Sequence, residues 1–160
     1  MKRAVAVCGV VAMLLVAASA FAQTNFSGKW APDADKNPAP AAGAGGGGGR
    51  GGGMMAGPMT ITQTATEFTI ERETPNGAQK TTYKLDGSEQ TITQGQGEAK
   101  VKAKIDGATI VISTTSDRGQ GPTTTTAVYS MEGANLVVAT TRPGRGGGDP
   151  TTAKAFYKKG

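Results

Sequence analysis

YKLDGSEQTI (residues 83–92), AKIDGATIVI (103–112) and YSMEGANLVV (129–138) are three copies of one phrase. Each is an alternating apolar run, an acidic residue followed by glycine, and a second β-rich run. An Asp-Gly or Asn-Gly step between alternating runs is a strong hairpin signal, because the primed turns need positive φ at their central positions. Asp86-Gly87 and Asp106-Gly107 fit this pattern, Glu132-Gly133 fits it more loosely, and Asn76-Gly77 lies just upstream. The centre of the chain therefore reads as a ladder of hairpins.

Working outward, the same alternation recurs on both sides. NFSGKW (25–30) holds the only tryptophan, with Phe26 and Trp30 on one side of an expected first strand. MTITQT (59–64) and EFTIERE (67–73) read as a hairpin around Ala65-Thr66, followed by QKTTYKLD (79–86) and EQTITQ (89–94). In AKVKAKI (99–105), Val101, Ala103 and Ile105 alternate strictly with Lys100, Lys102 and Lys104, so one face is buried and the other is washed by water. TIVIST (109–114), TTTTAVYS (123–130), NLVVATT (135–141) and TTAKAFYKK (151–159) complete the count. The chain is predicted to be all-β: an antiparallel up-and-down meander of about ten short strands, with no segment of helical period. Ten strands joined by tight turns leave two exposed edges unless the sheet closes, so a barrel is expected, with a two-sheet β-sandwich as the alternative.

The ends and one internal stretch differ in character. Residues 1–22 read as a signal peptide: Lys2 and Arg3 form a charged start, an apolar run too short to span a bilayer follows, and Ala20-Phe21-Ala22 precedes the expected cut. Cys8 is the only cysteine and comes too early in this run to serve as a lipid anchor. Residues 23–160 then form one domain, and the expected location is exported, periplasmic or extracellular, in a bacterial host. Without the leader, 15 basic residues face 12 acidic ones, a net charge of +3. Alternating signs along the chain argue for solvated faces, not for a nucleic-acid patch. Within the domain, residues 37–58 carry a Gly-rich insertion, GAGGGGGRGGG among them, with almost nothing able to pack. It lacks the Gly-Lys-Ser/Thr ending of a phosphate-cradling loop. A bacterial outer-membrane barrel fits poorly, since few strands offer an apolar lipid-facing side, and no integral membrane span is expected.

The Gly28-Lys29-Trp30 stretch, a G-x-W in the first strand ahead of an antiparallel meander, resembles the lipocalins and the wider calycin barrels. The layout FSGKW, YKLDG, AKIDG is also similar to small secreted bacterial proteins of lipocalin-like type. The resemblance implies a closed barrel in which the motif tryptophan seals the floor, with a basic residue of the last strand packed over it. Trp30 matches the first role, and Arg142, Lys158 and Lys159 are candidates for the second. The chain departs from the family in lacking its Thr-Asp-Tyr loop motif and any residues after the last strand for a C-terminal helix. Fatty-acid-binding proteins carry a helical lid between strands one and two, where this chain has glycine.

Composition removes much chemistry. With no histidine and one cysteine, confined to the leader, the usual general base, thiol nucleophile and soft-metal ligands are missing from the domain. No serine has a nucleophile-elbow context. Asp86, Asp106 and Glu132 are explained by turns, and Glu71 and Glu73 by an exposed strand face. Asp33, Asp35 and Asp117 read as solvated loop charge and not as a calcium site. No catalytic residue, metal site or cofactor is expected, and the protein is read as a non-enzyme. Trp30, Phe26, Phe68, Tyr83 and Tyr129 are the candidate lining of a barrel interior that takes a small hydrophobic ligand. The competing reading makes these five simply the core of a non-catalytic envelope or extracellular module, its protein partner unspecified. The leader is directly testable: N-terminal sequencing of the protein exported by its host is expected to begin at Gln23, and an N-terminus at Met1 removes the leader.

Overall fold

The computed structural model describes residues 23–37, 57–74, 77–94, 97–117, 119, 121–144 and 148–160. The expected signal peptide, nearly all of the Gly-rich insertion and Asn76 of the expected Asn76-Gly77 turn lie outside them. Ten strands follow in order: β1 (Gly28–Pro32), β2 (Met59–Gln63), β3 (Glu67–Thr74), β4 (Gly77–Lys84), β5 (Asp86–Gln94), β6 (Gly97–Asp106), β7 (Thr109–Asp117), β8 (Pro122–Glu132), β9 (Asn135–Arg142) and β10 (Thr151–Lys159). No helix occurs among the described residues, so none there is long and apolar enough to cross a membrane. The strands make one antiparallel sheet in the order β4-β3-β2-β1-β10-β9-β8-β7-β6-β5. The first and last strands of the domain pair, Trp30 opposite Lys159, and this ladder curls the meander into a nearly closed barrel. β4 and β5 face each other across the remaining seam without pairing. The barrel, not the sandwich, is the architecture.

Two local expectations need correction. The expected first strand, residues 25–30, begins only at Gly28; Phe26 precedes it and is held by Gln63, whose Oε1 accepts from the Phe26 amide at 2.8 Å. Asp86-Gly87 is not a hairpin. Leu85 turns back over the β2–β3 connection, its amide donating to the Thr66 carbonyl at 2.8 Å, and the chain crosses the seam to pair with β6. Gly87, at φ +77°, instead makes a bulge in which Asp86 to Glu89 spans only Lys104 to Lys102 of the partner. Asp86 Oδ1 accepts from both the amide and the hydroxyl of Ser88, at 2.8 and 2.6 Å, which lowers the carboxyl pKa.

The other two glycine turns are hairpins, with a shifted centre. Asp106 pairs with Thr109 and Glu132 with Asn135, so the two-residue loops are Gly107-Ala108 and Gly133-Ala134. Gly107 and Gly133 stand at φ +59° and +63°, and among the described residues no other residue type has positive φ. Glycine alone in the left-handed region at the first central position is the type II′ requirement, so the acidic residue closes the strand. The β2–β3 turn uses no glycine; Thr64 Oγ1 accepts from the amides of Thr66 and Glu67 instead.

Alternation sorts the faces as expected on β6, where Val101 and Ala103 are fully buried and the three lysines are exposed. Lys100 and Lys102 meet Glu89, and Lys104 meets Asp106, at 3.0 to 3.7 Å. These exposed pairs add little stability. The two ends of the barrel differ. The turns after β2, β6 and β8 and the residues before β1 gather at one end, the floor. The C-terminal ends of β1, β3, β5, β7 and β9 lie at the other, the mouth. Gly107→Ala places an L-residue at φ +59° with open space around its Cβ, so the cost is backbone strain alone, about 1 kcal/mol. Urea unfolding of Gly107→Ala is expected to show a lower midpoint with unchanged slope, and Gly107→Asn a smaller loss.

Candidate functional site

The floor half is built from apolar side chains that fill it. Trp30 is 2% exposed; its Nε1 donates to the Phe26 carbonyl at 2.9 Å, so the indole is both packed and satisfied. Gly28 explains the first position of G-x-W. It stands at φ +147°, and a Cβ there would come within 3.2 Å of Lys159 Cε. The Lys159 ammonium lies 5.9 Å from the Trp30 ring centroid, so of the three basic candidates it is Lys159 that packs over the tryptophan. Phe26 meets Phe68 edge-on at 6.3 Å, and Phe68 meets Tyr129 edge-on at 5.1 Å. Gln63 ties the segment before β1 to the wall, its Nε2 donating to the Thr24 carbonyl and its amide to Ser27 Oγ. All five residues expected to line the interior are thus brought together in one core cluster, Tyr83 at its half-buried edge. Phe26, Trp30 and Phe68 pack on one another at the floor. Tyr83 and Tyr129 face upward into a polar group.

That group centres on Arg72. On β3 it shares a face with Phe68 and Ile70, and its partners across the ladders are Met59 and Gln79. Its side chain reaches across the interior: Nη2 meets Met59 Sδ at 3.4 Å, and the guanidinium hydrogen-bonds the hydroxyls of Tyr129 on β8 and Tyr157 on β10. Tyr83 hydrogen-bonds Thr81 and feels the Arg72 charge. Burial raises the pKa of all three phenols above the ordinary value of 10; for Tyr129 the proximity of Tyr83 adds to this, and Arg72 opposes it. At neutral pH the three tyrosines are neutral hydrogen-bonding groups around a permanent cation.

Toward the mouth the inward face changes to small and polar residues. Thr81 on β4, Thr125 on β8 and Ala155 on β10 are half-buried, and Gln79, Thr123 and Ala153 are exposed although they face inward. The floor half is therefore occupied by the protein's own side chains, and the mouth half is accessible. One inward hydroxyl there is buried: Thr140 on β9 is 6% exposed, and its Oγ1 has no hydrogen-bond partner. Leaving such a group unpaired costs about 1–3 kcal/mol.

A surface notch of about 280 Å³ lies elsewhere, at the floor end of the seam, lined by Ala65, Thr66, Glu67, Lys84, Leu85 and Asp86. All but Leu85 are exposed, so it offers a ligand no desolvated charge. The interior cluster is the better candidate. The acids considered for calcium do not meet. Asp33 Oδ1 accepts from the Asp35 amide and Asp117 Oδ1 from the Gly119 amide, on loops four strands apart in the sheet. Among the described residues no group of three acidic, histidine or cysteine side chains is placed to hold a metal ion.

Sequence reasoning missed Arg72 and Thr140. Period two carried the signal for both: Arg72 follows Phe68 and Ile70 on one face, and Thr140 follows Leu136 and Val138.

No protein-family model matches the sequence, and none of the curated proteins is similar to it. Solved structures are similar in fold. A REP1-NXSQ fatty acid transporter has a TM-score of 0.59 at 16% identity, over 84% of this chain and 95% of that one. A secretory abundant heat soluble protein of Ramazzottius varieornatus has 0.57 at 18%, over 88% and 98%. Fatty-acid-binding protein 1 of Echinococcus granulosus has 0.57 at 14%, over 84% and 96%. The fold is that of a calycin-type barrel.

The tyrosines give this site a spectroscopic test. Because folding raises their pKa, the unfolded state loses protons first above pH 10, so stability is intact below that pH and falls as pH rises through the folded values. Absorbance titration is expected to show little phenolate at pH 10, with the phenolate signal rising together with alkaline unfolding.

Proposed function

We infer that this chain is a non-catalytic binding protein that holds a small amphipathic acid inside its barrel. The observation that carries the reading is the Arg72 guanidinium, set inside the barrel against the Tyr129 and Tyr157 hydroxyls, with the accessible mouth half above it. A guanidinium presents paired donors that match a carboxylate, and its attraction strengthens away from bulk water. The phenols add neutral donors without competing charge. The acid end rests on this floor, and the apolar part of the ligand lies along the methyl-rich wall of Thr81, Thr125, Ala127 and Ala155. Of the five aromatic residues singled out in the sequence, Tyr83 and Tyr129 bound the site, and Phe26, Trp30 and Phe68 support it from below. Similarity in fold to a fatty acid transporter and to a fatty-acid-binding protein supports the reading. The N-terminal leader supports a location outside the cytoplasm, in the periplasm or beyond.

The alternative, an interaction module with a self-filled core, draws on the packed floor half alone. Native mass spectrometry separates the two. Protein purified gently from its host is expected to carry a reproducible extra mass that leaves on denaturation; a bare mass favours the module. Site geometry is tested with decanoic acid and decanol as ligands. Arg72→Met is expected to weaken the acid by about 2 kcal/mol, roughly 30-fold, the worth of hydrogen bonds to a charged group, and to leave the alcohol unchanged. Equal loss for both, or none for either, overturns the assignment of the acid to Arg72.

A further inference from the structure

Thr140 is the buried polar side chain that the fold itself does not explain. Its hydroxyl has no partner, and its neighbours across both ladders, Ala127 and Ala153, offer only methyl groups. Valine has the same shape without the hydroxyl, so stability alone favours valine there. Other threonines of this sheet are satisfied. Thr69 bonds Thr82, Thr115 bonds Thr124, and Thr141, the next residue of β9, bonds Thr152 at 2.8 Å, all through outward-facing hydroxyl pairs. Thr140, inward and buried, is the one whose hydroxyl has no partner among the described residues. It stands two residues mouthward of Val138, the ladder partner of Tyr129, and hence about 7 Å from that row along the strand. An acid whose head meets Arg72 beside Tyr129 would pass this hydroxyl a few bonds along its chain.

We propose that Thr140 sets the specificity of the site: its hydroxyl pairs with a hydroxyl on the ligand's chain, so the barrel takes a hydroxylated acid in preference to a plain hydrocarbon acid. This rests on the assignment of the acid end to Arg72. A hydroxyl both donates and accepts, so a ligand hydroxyl satisfies the orphan in either sense. A plain chain leaves it buried and unpaired, and discrimination of this kind comes mostly from the group left unsatisfied.

Calorimetry on the full exported protein, with decanoic, 3-hydroxydecanoic and 5-hydroxydecanoic acids, tests the proposal on wild type, Thr140→Val and Thr140→Ser. Wild type is expected to bind one of the hydroxy acids about tenfold tighter than decanoic acid, about one net hydrogen bond. Thr140→Val is expected to abolish this preference with decanoic acid affected little, and Thr140→Ser to retain it. Equal binding of all three acids by wild type, or a preference that survives Thr140→Val, overturns the role of Thr140 and leaves the Arg72 assignment standing. Failure of wild type to bind any of the three overturns both. Urea unfolding of the ligand-free protein is an independent check. Thr140→Val is expected to unfold at an equal or higher midpoint than wild type; a clearly lower one means that the hydroxyl is partnered within the fold, and the proposal falls.

Discussion

The supply of large apolar side chains is the constraint on which the rest of this barrel depends. Of eight aromatic residues in the chain, Phe21 belongs to the expected leader, and Phe156 faces outward, beneath the Lys36 ammonium at 5.7 Å. The remaining six, Phe26, Trp30, Phe68, Tyr83, Tyr129 and Tyr157, all point inward, and all lie in the floor half. Burying them against Ile61, Ile70, Ile110, Leu136 and Val138 supplies the hydrophobic stabilisation of the domain. Little comparable is left for the mouth half, where Ile92 near the end of β5 stands among inward threonine, glutamine and alanine. A nearly closed sheet with one filled half and one accessible half is the result.

Closure of the floor is a chain of specific contacts. The segment before β1 supplies Phe26 and is held by Gln63. Phe26 supplies the carbonyl that satisfies the Trp30 indole, and the Trp30 ring carries the Lys159 ammonium from the last strand. Gly28 lets that strand come close. The same short strand pairs with β2 on one side and β10 on the other. Five residues therefore join the two ends of the domain and set the height above which the interior is open.

The polar centre sits at the boundary between the halves. A half-buried guanidinium is tolerated where hydrogen bonds replace its lost water, and the hydroxyls of Tyr129 and Tyr157 supply such bonds. The same burial keeps the phenols neutral, so the cation and its donors persist together over the physiological range. On the proposed reading, this centre receives the anionic end of a ligand at the bottom of the accessible half-barrel, and the walls above discriminate by shape and hydrogen bonding.

Strands, faces and turn glycines were legible in the sequence because they are local properties. Alternation put Val101 and Ala103 inside and the neighbouring lysines outside, and Gly107 and Gly133 marked hairpins because positive φ is costly for any other residue. The gathering of Trp30, Phe26, Phe68, Tyr83 and Tyr129 followed from the same parity. Asp86-Gly87 carried the same local signature and became a bulge, because the fate of β5 is fixed by its register on β6 and by Leu85 folding over a distant turn. Arg72 stands in a strand between Glu71 and Glu73, the exposed face, and drew no reading of its own; only closure of the barrel brings its head to Tyr129 and Tyr157, more than fifty residues away in the chain. By itself the sequence determined which residues face inward, since the pleat has a period of two whatever surrounds it. The tertiary structure alone decided which inward residues meet across the barrel, since that depends on long-range register and curvature that no local stretch encodes.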